Sequence, residues 1–197
     1  MRTAMMIAAL LLGACGGKQK QPPLAETETG DGERETEAVA ERETEAVAER
    51  ETETPAENPW VAAHNEYRKK HCAPPLTWSA ELAKAAQAWA DHLKKADCAF
   101  EHSRTRYGEN LAGGTSGALD PASSVEMWYR EVDKYDFKRG GFSMDTGHFT
   151  QLVWAATQHV GCGMTTCKGL DIIVCNYDPP GNVEGAYRNN VKPTGCK

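Results

Sequence analysis

Apolar and polar positions are spread so unevenly along the 197 residues that the chain divides near residue 58. At the start, an apolar run from Met5 to Leu12 follows Arg2 and precedes small residues, the layout of a secretory signal peptide over residues 1–14. That run is too short to span a bilayer as a retained helix. Beyond residue 58 the pattern becomes periodic. Pro59 to His71 predicts a first helix, with Pro at its start and Cys72-Ala73-Pro74-Pro75 at its end. Ser79, followed by Leu82, Ala83, Ala86, Ala90 and Leu93, supplies an N-cap and an apolar stripe, predicting a second helix to Ala96. A third is expected over Pro121–Tyr135, with Val125, Trp128, Val132 and Tyr135 on one face, and a short fourth over Phe149–Ala156. Two strands follow, His159–Thr165 and Leu170–Tyr177, joined by Thr166-Cys167-Lys168-Gly169 as a hairpin connection. Helices first and a hairpin late define an α+β domain over residues 58–197.

The stretch between these parts is of another kind. Glu26 to Glu57 holds thirteen acidic residues against Arg34, Arg42 and Arg50, and almost no large apolar side chain. Nothing there offsets the entropy of ordering, so residues 15–57 read as a disordered acidic linker behind Cys15. It contains an eight-residue repeat: Glu33–Ala40 and Glu41–Ala48 are identical, and Glu49–Ala56 is a variant. A period of eight builds no continuous helical seam. A charged linker of this length reaches roughly 35 Å. Of the chain's 22 basic and 28 acidic side chains, the first 57 residues hold six and thirteen, which leaves the remainder at +1. That balance offers no electrostatic case for binding nucleic acid.

Seven cysteines sharpen the reading. Leu12-Gly13-Ala14-Cys15 is similar to a bacterial lipobox, which would make Cys15 a lipidated residue that anchors the protein to a membrane without spanning it. Gly16 after Cys15 resembles a sorting signal for the outer membrane, with the domain facing either the periplasm or the cell surface. The other six, Cys72, Cys98, Cys162, Cys167, Cys175 and Cys196, form an even set in an exported domain and predict three disulfides out of fifteen connectivities. A zinc cluster is the rival reading, but no second pair has zinc-finger spacing.

Chemistry concentrates in a few short stretches: His102-Ser103, Gly108-Glu109-Asn110-Leu111, Gly147-His148-Phe149-Thr150-Gln151 and Cys175-Asn176-Tyr177-Asp178. Together they resemble the signatures of the CAP superfamily: the cysteine-rich secretory proteins, antigen five and pathogenesis-related proteins. The resemblance covers residues 58 to about 185 and implies a three-layer α-β-α sandwich. The plant pathogenesis-related members imply Cys98–Cys167 and Cys162–Cys175, which leaves Cys72 with Cys196. The superfamily also implies a cleft of two His and two Glu, carried here by His102, Glu109, Glu131 and His148; two neutral imidazoles with nearby carboxylates could bind Zn2+ there. His64-Asn65-Glu66-Tyr67-Arg68 matches a further pattern in the first helix, and Asn65 and Arg68 are expected to pin loops.

The same residues make chemical sense on their own terms. His148 is placed ahead of the fourth helix, where the dipole favours a neutral ring able to bind metal. Burial of Glu131 against Trp128 and Tyr135 would raise its pKa. The four groups could equally form a polar packing network. His71, His92 and His159 read as ordinary histidines. Three functions remain open. The first is a membrane-tethered binding module for a lipid, sterol or cell-surface ligand, as in several relatives, with Phe137, Phe142 and Met144 forming a lid on the loop before Gly147. The second is a metal-dependent hydrolase of peptide or cell-wall bonds, with Glu109 or Glu131 as base. The third is a protein-interaction or toxin-like module. The chain lacks the Gly-x-Ser-x-Gly elbow, the His-Glu-x-x-His helix and the phosphate loop, and Ser103 beside His102 could be a nucleophile only if another base faced it.

Overall fold

The computed structural model describes residues 58–196. The expected signal peptide, Cys15 and acidic linker lie outside the described residues. Helix α1, Pro59–Lys70, starts where the Asn58 side chain accepts from the N–H groups of Trp60 and Val61. It buries Val61, His64 and Arg68 along one stripe. Helix α2, Ala80–Lys95, is capped by Ser79 on the Leu82 N–H and buries Leu82, Ala86, Ala90 and Leu93. Both helices fall within one residue of their predicted bounds.

Four strands make one sheet in the order β1-β3-β4-β2. They are β1 (Thr77–Trp78), β2 (Gly108–Thr115), β3 (His159–Cys167) and β4 (Leu170–Asp178). The β1–β3 pair is parallel and the others are antiparallel. Lys168 and Gly169 both take positive φ, 51° and 79°, so the hairpin turns in two residues and β3 runs on to Cys167. That replaces the expected four-residue connection with the tighter turn that suits the sheet's twist.

Helix α2 covers one face of the sheet, where Ala86, Ala90 and Leu93 meet Leu111, Ile172 and Val174. Its approach is close. A Cβ on Gly161 would lie 2.1 Å from the Ala83 nitrogen, and one on Gly163 would lie 2.4 Å from the Gln87 Cα. The other face carries the larger core, in which Val61, Trp128, Phe149 and Trp154 pack on Val160, Ile173 and Tyr177. It is built by α1, α3 (Pro121–Tyr129) and α4 (Gly147–Leu152); a short α5, Tyr187–Asn190, adds Tyr187. The result is the expected three-layer α-β-α arrangement.

Two helices depart from expectation. The third stops at Tyr129 and tightens into a 3-10 turn over Arg130–Lys134, because Glu131 is held there by hydrogen bonds from α4. The fourth starts two residues early and ends at Leu152. The buried Arg68 guanidinium collects the carbonyls of Leu152, Trp154 and Thr157, and adds that of Pro74 through Nε. Oxygens that would cap successive helical turns are thus drawn into one cation. Asn65 exchanges two hydrogen bonds with the Leu76 backbone, so both residues pin loops. Three disulfides close the domain: Cys72–Cys196, Cys98–Cys167 and the directly cross-strand Cys162–Cys175.

Candidate functional site

Strand β2 positions the site through two adjacent residues. Side chains alternate along a strand, so Glu109 and Asn110 leave it on opposite faces. Glu109 is 5% exposed and accepts hydrogen bonds from His102 Nδ1 at 2.7 Å, from the Ser103 N–H at 2.9 Å and from the Ser103 hydroxyl. The His102 ring itself is 59% exposed. Its hydrogen bond to Glu109 is the main cause that raises the His102 pKa, and burial opposes it. Ser103 thus donates both its N–H and its hydroxyl to the Glu109 carboxylate.

On the other face, Asn110 donates from Nδ2 to the His148 carbonyl at 3.1 Å and to the Tyr177 hydroxyl oxygen at 3.2 Å. His148 lies in the first turn of α4, inside the helix that was expected to begin after it. Its Nδ1 bonds Glu131 Oε1 at 2.6 Å, while Glu131 Oε2 takes the N–H groups of His148 and Phe149 at 2.9 and 3.0 Å. Glu131 thus sits among donors at a helix start instead of in the apolar pocket expected from Trp128 and Tyr135. Again the carboxylate is the better covered partner, at 19% exposure against 32% for the imidazole.

The four expected residues therefore come together as two His–Glu pairs, linked through the Glu109–Asn110 backbone. Each carboxylate holds a ring by Nδ1 and leaves Nε2 without a hydrogen bond among the described residues. Carboxylates so placed orient a histidine for an incoming ligand or metal. Among the described residues no group of three or more His, Cys, Asp or Glu side chains is arranged to hold a metal ion. In this arrangement Glu109 and Glu131 act as hydrogen-bond acceptors, and the His102 and His148 rings each present Nε2.

The sequence reading missed the buried relay behind the pairs. His64 Nδ1 bonds the Trp60 carbonyl at 2.6 Å and Nε2 bonds the Tyr177 hydroxyl at 2.9 Å. Burial lowers the His64 pKa to about 4 and raises that of Tyr177, so both are neutral near pH 7. The neutral ring donates from Nδ1 and accepts from Tyr177, which in turn accepts from Asn110. The relay ties α1 through the sheet to α4. Its signal in the sequence was the spacing of His64 with Val61 and Arg68 on one helical stripe. His71 is also buried, with hydrogen bonds to the Lys192 carbonyl and the Tyr129 hydroxyl, and burial lowers its pKa.

The loop before α4 frames a second feature. Phe137 packs against His71, Tyr135 and Phe149 and is half-buried. Phe142 lies over Gly147, where an added Cβ would meet its ring at 3.0 Å, and remains 54% exposed. Met144 is 81% exposed. Behind them opens a cavity of about 670 Å³, with Phe142 on its wall. None of the four His and Glu residues lines it.

The comparisons agree with this fold. The model of the CAP family, described as the cysteine-rich secretory protein family, matches residues 61–177, and the chain belongs to that family. Protein PRY2 of Saccharomyces cerevisiae is 45% identical over 140 residues, covering 68% of this chain and 40% of its own length. Pathogenesis-related protein 1C of Nicotiana tabacum is 43% identical over 64% of this chain and 76% of its own. The human Golgi-associated plant pathogenesis-related protein 1 is 37% identical over 68% and 90%. Among solved structures, venom allergen-like protein 4 of Schistosoma mansoni matches with a TM-score of 0.53 at 26% identity, over 70% of this chain and 92% of that one. NaASP2, solved with Zn2+, has the same fold, with a TM-score of 0.54 at 24% identity over 72% and 86%. Membership of a secretory family agrees with export. These relatives are eukaryotic, so the bacterial lipoprotein reading rests on residues 12–15 alone.

Proposed function

We propose that this protein is an extracytoplasmic binding module that takes a lipid or a cell-surface amphiphile at the loop before α4. One observation carries the reading: Phe142 stands half-exposed on the wall of a polar cavity of about 670 Å³, and Met144 is exposed two residues further along the same loop. Apolar groups at the mouth and charged groups within suit a molecule that is itself apolar at one end and polar at the other. The loop is braced, with Asp136 accepting from the N–H groups of Lys138 and Arg139 and the Thr146 N–H reaching the Ser143 carbonyl. It presents the two side chains without needing to close as a lid. Extraction of a cell lysate with the wild type and with Phe142→Ser plus Met144→Ser, followed by lipid mass spectrometry, tests this. Equal lipid content in both would remove the loop from the account.

The anchor belongs to the same proposal. Lipidation of Cys15 would hold the domain at a membrane, and the apolar run before Leu12-Gly13-Ala14-Cys15 supports it. Metabolic labelling with a radioactive fatty acid should then mark the wild type and not Cys15→Ser.

A second reading has its own support in the two carboxylate-held imidazoles. Through Nε2, His102 and His148 would hold a divalent cation such as Zn2+, with Glu109 and Glu131 behind them. A calorimetric zinc titration tests it. One equivalent lost in both His102→Ala and His148→Ala supports the site, and unchanged binding in either variant removes it. Hydrolysis at such a site would further require a base.

A further inference from the structure

The cavity beside the loop has a chemistry that neither the His–Glu pairs nor the exposed Phe142 and Met144 explain. Its volume of about 670 Å³ falls within the range of ligand pockets, roughly 300–1,000 Å³. Three cations, Lys134, Arg139 and Arg188, line it against two acids, Asp136 and Glu184. Asp136 is already committed, because its carboxylate accepts two loop N–H groups, and these hydrogen bonds lower its pKa. Lys134 has only a 4.0 Å approach to Asp145, and Arg188 gives one hydrogen bond to the Lys138 carbonyl. The Arg139 guanidinium has no ion-pair partner among the described residues. The cavity therefore carries cationic donors in excess of the carboxylates free to meet them.

Two further features narrow the class of ligand. Tyr135 and Phe142 give the wall aromatic surface, on which the C–H face of a sugar ring can stack. Tyr187 also buries its hydroxyl with no hydrogen-bond partner, next to Glu184 and Tyr135 on the same wall. Burial, with those two neighbours, pushes its pKa up to about 12, so it is a donor in search of an acceptor. The remaining wall is mostly charged side chains, hydroxyls and glycine backbone, which does not suit a bare hydrocarbon chain or an unsubstituted ring system.

We propose that this cavity binds a sugar carrying one carboxylate, either free or as the headgroup of a lipid. The arginines would meet the carboxylate, the aromatic rings the sugar face, and Glu184, Ser143 and Tyr187 the hydroxyls. The inference rests on the proposed binding role of the loop, but it can stand where the lipid part of that role fails.

The test uses the full chain with D-glucuronate and D-glucose in calorimetry, and with vesicles of phosphatidylcholine with or without a glucuronate-headed diacylglycerol. Binding of glucuronate, or of the vesicles bearing it, about tenfold or more above the neutral counterpart is expected, with a similar loss in Arg139→Ala. Tyr187→Phe should weaken binding several-fold while leaving the melting temperature unchanged or higher, since it removes an unpaired buried hydroxyl. A purely structural Tyr187 would leave binding untouched. Free glucuronate without vesicle binding would uphold the inference and defeat the lipid reading. Equal binding to both kinds of vesicle, with none to glucuronate, would do the reverse. No binding in any arm overturns both.

Discussion

The Tyr177 hydroxyl lies 2.9 Å from His64 Nε2, with both rings fully buried between α1 and the sheet. The neutral imidazole accepts there and donates to the Trp60 carbonyl, and burial is the main reason that its pKa falls to about 4. Protonation would cost the acceptor on which the tyrosine depends.

Stability should consequently fall with acid. The folded pKa of His64 is depressed below the ordinary value of 6.5, so the unfolded chain takes up the proton first. Its contribution is fully present above pH 6.5 and is lost as pH falls from there towards 4, on the order of 3 kcal/mol in all. His71, lowered by burial, acts in the same direction. Urea unfolding at pH 7 and pH 4.5 measures this. In His64→Gln the acid loss should shrink, at the expense of lower stability at pH 7.

Arg68 makes a related prediction. Its side chain is buried with four carbonyl partners and no carboxylate, and burial lowers its pKa to about 10. Arg68→Lys keeps the charge but cannot reach the carbonyls of Pro74, Leu152, Trp154 and Thr157 together. A loss of roughly 3 kcal/mol or more is expected in chemical denaturation, since several buried acceptors lose their donor. A loss below about 1 kcal/mol would mean that solvent replaces the guanidinium there.

The exposed pair behaves in the opposite sense. Glu109 raises the His102 pKa, so the interaction is fully present below the unfolded value and is lost as pH rises through the raised one. Proton NMR should place the His102 titration above 6.5 in the wild type and bring it down in Glu109→Gln. Its share of stability is small because the ring faces solvent. An unshifted midpoint in Glu109→Gln would show that the carboxylate does not orient the ring.

What the sequence made legible follows from which interactions are local. Helix α2 was readable because the Ser79 cap and its apolar stripe lie within the segment, and α1 because Pro59 and Cys72-Ala73-Pro74-Pro75 bound it. Strand β2 was not, because Gly108-Glu109-Asn110-Leu111-Ala112-Gly113-Gly114-Thr115 shows no strand-like alternation and takes its conformation from full pairing with β4. The early ends of α3 and α4 escaped for the same reason. Glu131 and Arg68 reach across the fold to set them, and neither contact leaves a periodic trace.

The site was half legible. Motif resemblance found His102, Glu109, Glu131 and His148, but their grouping into two pairs depends on Asn110 and Tyr177, which only the fold brings together. Phe137 was read with Phe142 and Met144 as one apolar set on the loop, but only Phe137 joins the aromatic cluster of Tyr135 and Phe149, where it is half-buried.

The claim that the loop before α4 binds amphiphiles is tested most directly by sedimentation of the protein with vesicles prepared from total cell lipid, using a chain with Cys15→Ser so that no acyl anchor contributes. The account predicts that this chain sediments with the vesicles and that Phe142→Ser with Met144→Ser releases it, with the melting temperature unchanged. Equal sedimentation of the two proteins, or none of either, would contradict it.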